Sequence, residues 1–296
     1  MDRIATSPDG NGFVVRLRDG RRIGCAEYGD PSGAPMVWFP GTPGSRLAAP
    51  PDESLTRARR VRYIAIERPG FGASDPAPGR TILDWARDFT DVLDALCLDR
   101  VALAGTSGAG PFLCACAHSV ADRLRAVALI GAVAPPEREV LASLPSWRRA
   151  AFASFRRAPG AVRLVVAQTL RTRGVDGFYA SMVRDASPRD RIILARIMDR
   201  QLAMTREALR SGPEAFVWET HLAASPWEFS LADIRVPVFV FQGSEDRAAP
   251  VAMGRFFART IPGCVLHEFP REGHFLHHDH WPEILDALGF RPVLGR

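Results

Sequence analysis

Lysine is absent from this 296-residue chain, so all 38 residues in its Lys-plus-Arg count are arginine. That absence excludes Schiff-base catalysis on a lysine and lysine-anchored pyridoxal phosphate. It also excludes a Walker-type phosphate loop, which needs a lysine on the phosphates. Cysteine is scarce too. Cys25, Cys97, Cys114, Cys116 and Cys264 are odd in number, with no CxxC pair and no His/Cys grouping at metal-ligand spacing. Reduced, mostly buried thiols are expected rather than a disulfide framework or a metal site. Long apolar runs are missing as well. The longest apolar stretch, 101–117, is broken by Gly105, Thr106, Ser107, Gly108 and Gly110, which argues against a membrane span. Residues 1–12 are polar and lack the apolar core of a secretory leader. Together these deficits predict a cytoplasmic protein.

Hydrophobic residues make up 47% and charged residues 24%, enough for a sizeable core without disulfides or metals. The net charge of +5 is spread along the chain among nearby Asp and Glu, so no nucleic-acid partner is expected. In the first third, short apolar runs alternate with helical patterns. Residues 12–17 and 22–28 are β-like and flank the turn signal Asp19-Gly20. Residues 36–39, 61–66, 101–104 and 127–130 suit strands buried on both faces. Residues 52–59, 82–96 and 111–118 read as helices, with Thr81 as an N-cap for the second. Such alternation predicts a mostly parallel central sheet flanked by helices, an α/β class.

The pattern changes at Pro135-Pro136. From there to Trp227 the chain is helical, at 160–172, 188–210 and 214–222, with Ile192, Ile193, Ile197, Leu202 and Leu209 expected on one apolar face. Strands resume at 236–241 and 264–269, with helices at 251–260 and 281–288. The expected organisation is a core of 1–134 and 228–296 with a helical cap inserted at 135–227.

Three signals carry chemistry. Gly105-Thr106-Ser107-Gly108-Ala109-Gly110 follows a strand and opens a helix, as a nucleophile elbow does; a plain Gly-rich turn would look similar. Phe39-Pro40-Gly41-Thr42-Pro43-Gly44-Ser45-Arg46 follows another strand. It could supply a backbone N–H at Thr42 to an oxyanion, beside a second donor at Gly108; a Pro/Gly connector is the plain alternative. Near the end, Asp246 and His274 each stand just past a strand, where α/β sheets place their sites. Glu245 rivals Asp246. His267, His277, His278 and His280 rival His274, and the last three, adjacent in sequence, are poorly spaced for one metal ion.

Taken with Glu67-Arg68-Pro69-Gly70-Phe71-Gly72-Ala73-Ser74, these stretches resemble the α/β-hydrolase superfamily, and bacterial members with an HGTPGSR-type loop in particular. The resemblance covers nearly the whole chain in order. It implies the α/β-hydrolase fold and a serine hydrolase that cleaves a carboxylic ester, thioester or lactone. It gives Ser107 the role of nucleophile, His274 that of base and Asp246 that of orienting acid, with Thr42 and Gly108 as oxyanion donors. No metal or cofactor is required, and the implied partner is a small, hydrophobic acyl or lactone substrate. Three positions depart from the pattern: Pro40 replaces a His, Glu67 an Asp and Ala109 a Gly. The alternative function is a non-hydrolytic protein on the same fold: a cyclase, lyase or C–C bond enzyme, or a binding pseudoenzyme. A serine at 107 sets aside epoxide hydrolases and haloalkane dehalogenases, which need a carboxylate there. Apolar side chains of the cap, among them Trp147, Phe152, Phe155, Phe178, Tyr179, Met182, Met198, Met204, Phe216 and Trp218, either line a pocket or pack the cap together.

Overall fold

The computed structural model describes residues 4–5 and 12–292; the rest of the polar N-terminal stretch lies outside the described residues. Among the described residues, nine strands form one sheet. They are β1 (Ile4–Ala5), β2 (Gly12–Arg16), β3 (Arg22–Gly29), β4 (Ala34–Phe39), β5 (Val61–Ile66), β6 (Val101–Thr106), β7 (Leu124–Ile130), β8 (Val238–Gly243) and β9 (Val265–Phe269). Their order is β1-β2-β3-β5-β4-β6-β7-β8-β9. The pairs from β1 through β3 to β5 are antiparallel, and every pair from β5 to β9 is parallel. This is the mostly parallel, helix-flanked sheet expected from the alternation of strands and helices, in the α/β-hydrolase arrangement that the resemblance implies.

Strand alternation splits the interior in two. Val37, Phe39, Ile64, Ile66, Val101, Leu103, Val127 and Leu129 face a core shared with α2 (Ile82–Ala95), α3 (Gly110–Ser119) and α9 (Val251–Thr260). Met36, Trp38, Tyr63, Ala65 and Ile130 face the other side, with α10 (Trp281–Ala287) and Leu55 of α1 (Glu53–Ala58). On that side β6 and β7 present Ala102, Ala104, Ala126 and Ala128, small residues that share the layer with Trp38 and Trp281. The two indoles meet edge to face at 5.9 Å. Thr81 caps α2 as expected. Its hydroxyl accepts from the Asp84 N–H at 3.1 Å, and the Asp84 carboxylate accepts from the Thr81 N–H at 2.7 Å.

Between β7 and β8 the described chain contains five helices and no strand: α4 (Arg138–Ser143), α5 (Ser146–Arg157), α6 (Pro159–Met182), α7 (Pro188–Ala208) and α8 (Glu214–Ala223). Helices α4 and α5 have no counterpart in the sequence reading. Helix α5 is arginine-rich and fully buries no residue, and its Phe152 and Phe155 are half-buried against the rest of the fold. Helix α6 runs beyond the expected end at 172 but is interrupted at Gly174, where φ is 67°. The apolar face of α7 differs from expectation. Ile192 is 56% exposed, and the buried stripe is Asp190, Ile193, Leu194, Ile197, Thr205 and Ala208. Spacings of three and four from position 190 put an aspartate, not an isoleucine, at its head. Among the described residues, no helix is long and apolar enough to cross a membrane.

Trp281 is 1% exposed, and its indole N–H donates to Thr56 Oγ1 at 2.9 Å. Trp281→Ala should lower stability by about 3–5 kcal/mol, read as a fall in the urea midpoint. An unchanged midpoint would show that this layer collapses around the loss.

Candidate active site

Ser107 sits where β6 turns into helix. Thr106 is still extended, Ser107 has a φ of 55°, and a short 3-10 turn at Ser107–Ala109 leads into α3. A left-handed conformation at a residue with a Cβ costs on the order of 1–2 kcal/mol, so the surroundings must enforce it. They do so by contact. A Cβ at Gly105 would lie 2.4 Å from the Phe39 carbonyl oxygen and 3.2 Å from the Ala109 Cβ. The bare Gly105 thus leaves room for Ala109, which is fully buried. The Ser107 carbonyl accepts from Val133 N–H at 2.9 Å, tying the turn to the exit of β7.

Asp246 follows β8 and has its side chain fully covered. Its Oδ1 accepts from the Ala248 and Ala249 N–H groups, each at 2.8 Å, and its Oδ2 contacts His274 Nδ1 at 2.8 Å. With Nδ1–H given to Asp246, a neutral His274 presents the Nε2 lone pair to the cavity that it lines together with Ser107. Ser107 and His274 are not hydrogen-bonded to each other; such contacts commonly tighten only with substrate in place. Burial alone would depress the His274 imidazole. Asp246, with a smaller contribution from Asp190, overcomes that and holds it above the ordinary value of 6.5. Glu245 is exposed. His267 stacks on Phe241, His277 packs against Trp38, and His280 contacts Glu283. Among the described residues, no group of three or more His, Cys, Asp or Glu side chains is placed to hold a metal ion.

The loop after β4 is pressed onto the elbow. A Cβ at Gly41 would lie 3.2 Å from the Ser107 Cβ, and one at Gly108 would lie 3.3 Å from the Thr42 nitrogen. Arg68 holds this loop: its guanidinium donates to the Pro40 carbonyl at 2.7 Å and to Thr42 Oγ1 at 3.0 Å. Glu219 of α8 accepts from Arg68 at 2.7 and 2.8 Å, from Arg80 at 2.6 Å and from the Thr42 hydroxyl at 2.8 Å. All three charged side chains are buried. Burial alone would raise the Glu219 carboxyl, but Arg68 and Arg80 outweigh it and hold it below the usual carboxylate range. Nearby, Glu67 accepts from the backbone and side chain of Arg46 and from the Ala73 N–H, and Glu207 of α7 also pairs with Arg46. The longer Glu67 side chain is accommodated because Gly24 and Gly72 leave its carboxylate free space.

The sequence reading missed Arg68, Arg80, Glu219 and Asp190. Arg68 lay in plain view inside the turn motif, but its partner is 151 residues away. Of the apolar residues put forward for a pocket, Tyr179, Met182 and Met204 line the cavity. Phe155 and Phe178 instead pack edge to face on Phe216, and Trp147 is 52% exposed.

The sequence profile of the alpha/beta hydrolase fold matches residues 34–280. The chain belongs to this family. It is an enzyme of the α/β-hydrolase type. It is 27% identical over 302 residues to a 2-hydroxy-6-oxononadienedioate/2-hydroxy-6-oxononatrienedioate hydrolase of Cupriavidus pinatubonensis, covering 96% of this chain and 98% of the relative. It is 29% identical to a 2-hydroxy-6-oxo-2,4-heptadienoate hydrolase of Pseudomonas putida, over 80% of this chain and 77% of the relative. Among solved structures, the enol-lactonase of Burkholderia xenovorans LB400 superimposes with a TM-score of 0.70 at 21% identity, covering 93% of this chain and 99% of that one. In this α/β hydrolase, Glu219→Ala should lower stability by about 3–5 kcal/mol, because two buried guanidinium groups lose their counter-charge. Urea denaturation monitored by circular dichroism measures the loss; a midpoint equal to the wild type would remove the ion group from any structural role.

Proposed function

We propose that the enzyme hydrolyses a carboxylic ester, thioester or lactone through an acyl-enzyme on Ser107. The carrying observation is the fixed Asp246–His274 pair in the cavity that also exposes Ser107 at a left-handed turn. His274 Nε2 takes the Ser107 proton as Oγ attacks the substrate carbonyl. Asp246 holds the tautomer and stabilises the imidazolium, and the N–H groups of Thr42 and Gly108 hold the oxyanion. The leaving group departs with the proton from His274. Water, activated by the same imidazole, then releases the acid. Helices of 135–227 act as a cap that selects the substrate, with Tyr179, Met182, Ile197 and Met204 supplying its apolar wall. The free thiols fit a reducing, cytoplasmic setting.

The relatives' names support a second reading, hydrolysis of a carbon–carbon bond beside a ketone, and their named substrates carry carboxylates. Arg148, Arg200 and Arg247 line the cavity here; Arg148 and Arg200 donate to carbonyl oxygens of Ala248, Ala49 and Pro50 rather than to carboxylates. Product analysis with paired esters and ketones of matched shape, each with and without a carboxylate, distinguishes the two.

Ser107→Ala should abolish turnover and labelling by a fluorophosphonate probe while leaving the circular dichroism spectrum intact. Retained turnover would remove Ser107 from the mechanism. Asp246→Asn should cut turnover on the order of 10⁴-fold, and Glu245→Gln should be mild; the reverse ranking would move the acid role to Glu245.

The pH profile follows from the raised His274 value. A protonated imidazole cannot accept the serine proton, so activity falls as pH drops through that value. The acid limb of kcat/KM should therefore lie on the alkaline side of 6.5. A limb well below 6.5 would mean that the carboxylates do not govern this histidine.

A further inference from the structure

Asp190 heads the buried stripe of α7 and is 1% exposed. Half of its carboxylate does an ordinary task. Oδ2 accepts from the Ser187 N–H at 3.3 Å, and the Ser187 hydroxyl accepts from the Asp190 N–H at 3.1 Å, closing a capping box; the same hydroxyl also donates to Oδ2 at 2.8 Å. Helix capping needs no burial, and a buried carboxylate is costly unless its oxygens are satisfied. The other oxygen reaches across the fold, where Oδ1 accepts from the Phe275 N–H at 2.9 Å. On the other flank of His274, a Cβ at Gly273 would lie 2.2 Å from Asp190 Oδ2. The carboxylate therefore lies against the backbone on both sides of His274. The start of α7 is clasped to the same loop by further pairs: Arg189 with Glu272 at 3.3 Å and with Asp279 at 2.6 Å, and Arg196 with Asp279 at 2.7 Å.

We propose that Asp190 is a positioning residue, which fixes the place of the His274 base from helix α7. The proposal rests on the reading of His274 as the base. Its consequence is that seating of the helical segment and readiness of the base are one event: α7 cannot leave without releasing the histidine loop.

The charged and titratable groups around the imidazole come from several elements. Asp246 faces it from the β8–α9 loop, Asp190 from α7, and Arg148 from α5. His277 lies in its own loop. His278, Asp185, Arg200 and Arg247 complete the charged wall of the cavity. After Asp246, Asp190 is the carboxylate that favours the protonated form of His274.

The test measures the rate of fluorophosphonate labelling at Ser107 against pH, with melting temperatures taken in parallel. Asp190→Asn keeps the shape and an acceptor for Phe275 N–H but removes the charge. Its labelling profile, normalised to its own plateau, should have an acid limb displaced to lower pH. Asp190→Ala should in addition lower the plateau by about tenfold or more, the scale of loss when a reacting group is misplaced. Ser187→Ala removes the capping hydroxyl alone. It should lower the melting temperature and leave the limb where it is, which separates positioning from helix capping. Where Asp190→Ala does not fold, the Asn variant and the His274 ring-proton titration by NMR decide. Superimposable limbs for wild type and Asp190→Asn would overturn the proposal, as would a Ser187→Ala limb that moves as far. A wild type that does not label, or labels equally well as His274→Ala, would overturn the underlying reading instead and the proposal with it.

Discussion

The active-site side of the fold depends on one buried carboxylate, Glu219, clasped between Arg68 and Arg80. Charges at this depth lose their hydration, and a single such pair seldom improves stability over an apolar replacement. The justification for this one lies in what it holds. Arg68 uses the rest of its fork on the Pro40 carbonyl and the Thr42 hydroxyl, so the loop that meets the serine turn is fixed by a side chain whose own position Glu219 determines. Guanidinium geometry suits this work, because its planar donors reach several acceptors at once. The loop also carries Pro40 at the position where the sequence pattern it resembles has a histidine. With Pro40 in that place, its carbonyl is oriented by Arg68, and no ring hydrogen bond at position 40 is needed to shape the turn.

The parts of the site legible in sequence were those whose reason is local. Ser107 stands out because a sharp strand-to-helix turn demands small neighbours at 105 and 109. Asp246 and His274 stand out because both follow apolar strand runs. The choice between Asp246 and Glu245 was open in the residues themselves; what separates them is that the 248 and 249 N–H groups turn inward onto one carboxylate and leave the other exposed. The central strands were legible for a similar reason, since short apolar runs bounded by Gly and Pro have few other uses.

What stayed hidden depends on distant partners. An arginine in a Gly/Pro turn and a glutamate in a helix are ordinary surface residues until the fold brings them together. Asp190 carries no signal in the sequence. The periodicity of α7 places Ile193, Ile197 and Leu209 on the inner face, where they lie, but adds Ile192 and passes over the aspartate, because a carboxylate is normally evidence for the solvent face. Here the aspartate is on the inner stripe and the isoleucine is outside it. Helices α4 and α5 were missed because a segment that fully buries one residue or none leaves a weak pattern to read.

The buried carboxylates also bear on how substrate reaches Ser107. The helical segment sends Glu219 to the loop after β4, Glu207 to Arg46 and Asp190 to the loop of His274. The loop after β4 and the loop of His274 both border the cavity. Lifting the segment as one body would break the Glu219 group and the Asp190 contact together. These contacts have to be given up together, which ties the two loops to one body. Local fraying is far less expensive at α5, which fully buries no residue, and at the interruption of α6 at Gly174. Movement of α5 and α6, with α7 and α8 held in place, would open the cavity wall that Arg148, Tyr179 and Met182 form and leave the loop after β4 and the loop of His274 where they are. The lining from α7 combines apolar residues with fixed charge, whereas Trp147, Leu164, Val165 and Met182 of α5 and α6 are large apolar side chains left exposed, as Ile192 is on α7.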